Sequence, residues 1–405
     1  MNRCSETKSD HSEDKRNSNS EECADHKWNR SRSNSGIDNR CCNTRRTLSA
    51  ADLGAVTAKT TGTVTLDNAQ TISGTGAEVT AALITNAATL SAASNATVTG
   101  NVTAEVAGNI ANVTDITAAF SGTITDTLAN LADSGSITTN FSRARGDDGD
   151  VNVVVSDGTG TLSAADLGAV TAKTTGTVTL DNAQTISGSG AELIAALKTN
   201  AATLSAASTA TVTSAVTAAV AAEIAAIASI TLDSSGSGTI TDTLANLLNV
   251  GQTAISDDYS NARAEDTDVN VIISDGTGTI DAAKLNLIAA KTGGTVTLQN
   301  AQTISGTGTE VTAALITDAV TPASGSSATV TGNVTAEVAG NIANVTDITA
   351  AFSGTITDTL ANLADSGSIT TNFSRARGDD GDVNVVVSDG TGTLSAADLG
   401  AVTAK

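Results

Sequence analysis

The sequence predicts an α/β solenoid, a stack of units each made of one short strand and one short helix. Three observations lead there. From Thr47 onward the 405-residue chain repeats itself: TLSAADLGAVTAK begins at Thr47, Thr161 and Thr393, and a diverged TIDAAKLNLIAAK begins at Thr279, so the first and third copies have the same length and the second is slightly longer. Within one copy, β-branched runs centred on Ile72, Val98, Ile124 and Val153 recur at nearly even intervals, and each is followed by a helical pattern. The whole chain holds six aromatic residues and one proline, too few for the aromatic-anchored cores of ordinary domains of this length. A unit of one strand and one helix cannot bury its apolar stripe alone, so neighbouring units must stack.

The elements follow in order. Gln70 to Gly74 (QTISG) reads as a strand and precedes the helical AEVTAALI. Ala96 to Gly100 (ATVTG) precedes a segment that places Val102, Val106 and Ile110 at i, i+4 and i+8, and GTITD precedes TLANLAD, with Leu128 and Leu131 at i and i+3. The second copy keeps the stripe as Val216, Val220 and Ile224 amid alanine, which favours helix. The alternative is an all-β solenoid, opposed by the poor β propensity of stretches such as Val216 to Ala228. Ser49, with Asp52 three positions on, and Asp126 before Leu128 are expected N-caps.

The copies are residues 47–160, 161–278 and 279–392, with a truncated start of a fourth at 393–405. Ala96 to Lys173 recurs without one substitution as Ala328 to Lys405, and this unbroken identity suggests recent duplication or continuing exchange between copies. Residues 1–46 are a different material. They hold all four cysteines, both histidines and the only tryptophan, and they show no apolar period, so disorder is expected. Cys23-x-x-His26, with Cys4, His11, Cys41 and Cys42, offers zinc-capable ligands at spacings that fit no common site. The repeat register sets Cys41-Cys42 against Val155-Ser156, as out-of-frame translation of an upstream copy would.

Charge and composition limit the function. The formal net charge is −22, unfavourable for contact with nucleic acid or anionic lipid and favourable for cations and basic surfaces. No stretch reaches the roughly 18 apolar residues of a membrane span. After residue 46 there is neither His nor Cys, so the repeats cannot build a Ser-His-Asp or Cys-His arrangement or a His/Cys zinc site. No pair stands out among the acids for catalysis. Gly74-Thr75-Gly76 opens a helix as a dinucleotide-binding turn does, but Val79 stands where the third glycine belongs.

The acidic loop Asp147, Asp148, Asp150 with Asp157 returns as Glu265, Asp266, Asp268 with Asp275, and as Asp379, Asp380, Asp382 with Asp389. Hard oxygen ligands on a glycine loop suit calcium, although the spacing matches neither an EF-hand nor the glycine-aspartate nonapeptide. A solvated acidic loop is the plain reading; calcium is the alternative, and no other cofactor is implied. The embedded Arg145-Gly146-Asp147 becomes Arg263-Ala264-Glu265 in the second copy and reads as chance composition.

SGTITDTLANLADSGSIT and DGTGTLSAADLGAVTAKTTGTVTL resemble the Ala/Thr/Gly/Asp-rich repeats of very large bacterial surface and secreted proteins, cyanobacterial ones and adhesins included. The resemblance implies a non-catalytic, extracellular or cell-surface structural or adhesive array, a fragment of a larger protein, whose partners are other copies or other surface repeat proteins. Two alternatives stand beside it: a secreted calcium-binding module, and a truncated or frameshifted product without independent function. Lys405 falls in the register of Lys59 and Lys173, so the last stripe, Leu399 and Val402, is expected to lack a covering strand and to favour self-association.

Overall fold

The computed structural model describes residues 47–204, 206–233 and 238–404. The expectations for residues 1–46 lie outside the described residues, as does most of the insertion that lengthens the second copy. The chain divides into units Met1–Thr44 and Arg45–Lys405; the described residues belong to the second.

That unit is an α/β repetitive solenoid, with parallel strands alternating with short helices. In the first copy β1 (Thr47–Ser49) runs into α1 (Ala50–Thr57), and β2 (Thr71–Thr75) into α2 (Gly76–Thr80), which continues as a π-helical turn over Ala81–Thr85. Next come β3 (Ser94–Thr99), α3 (Ala104–Ala111), β4 (Ile116–Phe120), β5 (Thr123–Asp126) and α4 (Leu128–Leu131). A short hairpin, β6 (Ala132–Asp133) with β7 (Ser136–Ile137), leads to α5 (Thr139–Asp147) and β8 (Asn152–Val155). The second copy opens with β9 (Thr161–Ser163) and α6 (Ala164–Thr171).

Each helix starts where a Ser, Thr or Asp ends an extended run. The Ser49 hydroxyl accepts the Asp52 N–H at 3.2 Å, as expected, and Thr75 forms a full capping box with Glu78, satisfying N–H groups that no helical carbonyl can reach. The third copy repeats that box with Thr307 and Glu310.

Pairing sets the coil. Thr47 stands beside Thr71, Thr71 beside Asn95, and Ser94 beside Ile116. The sheet β1-β2-β3-β4 ends there. A second parallel sheet begins with Val102 beside Ile124 and continues through β5, β8, Val178–Leu180 and Thr203–Leu204. The coil is therefore mostly shorter than the interval between apolar runs: Ile72 lies beside Ala96 and not beside Val98, the centre of the next run. Centres of apolar runs drift relative to the hydrogen-bonded register.

A coil has three sides, two strands and one helix. After β1 and β2 the chain enters the helix at once; after β3 it first makes the Val102 bridge, and after β4 it first makes β5. The helix has moved one side round the coil. When the same sequence returns at Thr161, its strand opens a new sheet, β9 followed by Thr185–Gly188, Ser208–Val212 and Ile230–Asp233. A side that carries strands in one copy thus yields to helices in the next, which is why no sheet runs the length of the array.

This arrangement corrects the helical stripe. Val102 lies before the N-cap Thr103, in the strand bridge to Ile124, and Val216 pairs likewise with Ile240. The residues that α3 buries are Ala104, Ala107, Gly108 and Ile110. The valine spacing of four is a strand residue followed by a helix residue.

Small residues are needed because strands recur every 4.7–4.9 Å while helix axes normally stay 8–10 Å apart. A Cβ on Gly108 would stand 2.6 Å from the Cα of Asn140 on α5. Inside, Ile72, Ala96, Ile124, Val153, Leu167 and their equivalents form one continuous core, with Phe141, Tyr259 and Phe373 fully buried at equivalent places.

Candidate functional site

Of the acidic positions singled out from the sequence, Asp147 and Asp148 lie where β4 ends its sheet, and the structure gives most of the others a structural contact as well. The last residue of α5, Asp147, accepts the Ala118 N–H through Oδ2 at 2.8 Å, and Asp148 accepts the Phe120 N–H at 2.6 Å. These two donors lie on the edge of β4 that has no neighbouring strand among the described residues, where an unpaired N–H costs free energy. Two carboxylates stand in for the missing strand. The third copy repeats the arrangement with Asp379 on Ala350 N–H and Asp380 on Phe352 N–H. In the second copy Asp266 is buried while Glu265 and Asp268 are exposed.

Asp157, beyond β8, accepts the Leu128 N–H at the start of α4 at 2.6 Å; Asp275 serves Leu244 at 2.7 Å and Asp389 serves Leu360 at 2.5 Å. A carboxylate at a helix N-terminus also meets the positive end of the helix dipole. Asp150 and Asp382 are exposed. Among the described residues no three His, Cys, Asp or Glu side chains converge as metal ligands would. Arg145-Gly146-Asp147 lies in the last turn of α5, with its aspartate committed to Ala118.

The electrostatics fit a crowded corner. Burial pushes the Asp148 carboxyl up, the neighbouring Asp150 pushes it further, and the Phe120 N–H pulls the other way. Asp268 is raised by its hydrogen bond and charge contact with Asp266.

The most heavily used acid, Asp126, has a role other than the cap expected from the sequence. Asp126 is not the N-cap of α4, which is Thr127. Its buried carboxylate accepts from Ala104 N–H at 2.9 Å, Thr127 N–H at 2.9 Å and Asn130 Nδ2 at 2.7 Å, tying α3 to α4. Asp242 and Asp358 do the same in the other copies. For Asp358 burial raises the carboxyl, but hydrogen bonds from Asn362, Ala336 and Thr359 outweigh it and hold the group below its ordinary value. The available signal was the string ITDTLAN, unchanged in all three copies.

The turn at Gly74-Thr75-Gly76 also serves packing. A Cβ on Gly74 would come 2.7 Å from that of Ala50, and one on Gly76 would overlap Val102. Beside Asp126 lies a polar cavity of about 330 Å³ bounded by Thr103, Glu105, Asn130, Thr138 and Asn140.

No protein-family model matches the sequence, and no curated protein does. Among solved structures, the complex of PEPR1 with AtPEP1 is 10% identical over 77% of this chain and 41% of its own, at a TM-score of 0.20. The plant peptide hormone receptor RGFR1 with RGF2 is 12% identical over 78% and 43%, at 0.16. The LRR ectodomain of the Arabidopsis receptor kinase HAESA is 10% identical over 72% and 54%, at 0.18. The chain spans about half the length of these structures or less. Among the described residues no helix is long and apolar enough to cross a membrane.

Proposed function

We propose that the chain is a non-catalytic structural array, a spacer or adhesive stalk of the extracellular or cell-surface kind that its repeats resemble, with further copies or other surface repeat proteins as partners. One observation carries this reading: most of the recurring acids are committed to bracing one coil against the next. Asp126, Asp147, Asp148 and Asp157 all hold backbone N–H groups of the preceding coil. Side chains that in an enzyme would face a substrate here replace missing strand partners and cap helices. The passage of the helix from side to side supports the same reading, since the wide helical side never accumulates on one flank.

Small-angle scattering on arrays with one copy duplicated tests it. A copy holds between four and five coils, so with coils spaced at the strand distance the longest dimension should grow by about 20 Å per added copy. Growth in cross-section without growth in length would refute the spacer reading. Failure of the immobilised array to retain itself or bacterial cells would remove the adhesive part and leave the spacer.

A further inference from the structure

We draw no further inference here: the strongest candidate, the polar cavity of about 330 Å³ where the N-termini of α3 and α5 meet beside Asp126, rests on helix N-termini whose one buried charged group is already committed to the backbone and to Asn130, and nothing in the structure shows what would fill it.

Discussion

Residues 161–173 and 393–405 are identical in sequence, and this gives a matched test of stacking. In α6 Leu167 is fully buried, and Leu162 before it is 5% exposed; their counterparts Leu399 and Leu394 are 38% and 41% exposed. Beside α6 runs the following coil, in which Thr174 donates to Val151 and the Ala196 backbone packs 3.9 Å from where a Cβ on Gly168 would lie. Leu167→Ala should therefore cost about 2–5 kcal/mol, the transfer term plus a cavity that rigid neighbours cannot close. Leu399→Ala removes a side chain already partly in water, so about 1 kcal/mol or less is expected. Urea unfolding followed by circular dichroism, with hydrogen exchange on peptides covering each helix, separates the two. Leu167→Ala should lower the main transition and deprotect coils on both sides, because stability in a stacked array is shared between neighbours. Leu399→Ala should alter exchange only near its own helix. Equal effects at the two sites would refute the stacking order, since local sequence would then decide the cost.

Further outcomes follow from particular residues. Tyr259 is fully buried with no partner for its hydroxyl among the described residues, and the equivalent positions are Phe141 and Phe373, so Tyr259→Phe should stabilise by about 1–2 kcal/mol in urea melts. Burial pushes the phenol up to about 12, so ultraviolet titration of the native protein should show no ionisation at pH 10. Asp358, held below its ordinary value, contributes stability that is present above its unfolded pKa and lost as pH falls through the folded one; Asp358→Asn should therefore flatten the acid limb of the stability profile, and an unchanged limb would count against the assignment. Removal of residues 161–278 should leave a cooperative melt because Gly160 then meets Thr279 in the register of Thr161, whereas removal of half a copy breaks the register and should not. Calorimetric titration with millimolar calcium should give neither heat nor a higher Tm, since Asp147, Asp148 and Asp157 are engaged by the backbone; a saturable rise in Tm would support the calcium reading instead.

The solenoid was legible because repetition and period survive in composition. A strand followed by a capping hydroxyl and an apolar helix leaves a trace in TISGTGAEV that needs no tertiary knowledge, and the expected cap at Ser49 is present. The coil length was not legible from the same pattern. Apolar centres mark where side chains are buried, and a parallel ladder marks where backbones pair; the two agree only when every coil has the same shape. Here β1 meets its helix directly while β3 meets another strand first, so Val102 was counted with the wrong element.

The role of the acids was hidden for a different reason. Asp126 reaches Ala104, and Asp148 reaches Phe120, across separations set by the coil and not by any local motif, so neighbouring residues could not reveal them. Local reasoning sees Asp147, Asp148 and Asp150 as a solvated acidic loop, with calcium as the alternative. The fold instead turns the first two toward the N–H groups of one strand edge, where each carboxylate satisfies a donor that a fifth strand would otherwise have taken. Comparison among the copies carried a clue: Gly146 and Gly149 give way to Ala264 and Thr267 while acids remain at the positions of Asp147, Asp148 and Asp150. A cation loop depends on its glycines for the turn, whereas an acceptor aimed at a strand edge depends on its carboxylate and on the helix that delivers it. The exchange of glycine for alanine and threonine removes from the second copy the turn a cation loop would use, while the strand-edge bonds are made in the first and third copies by Asp147, Asp148, Asp379 and Asp380.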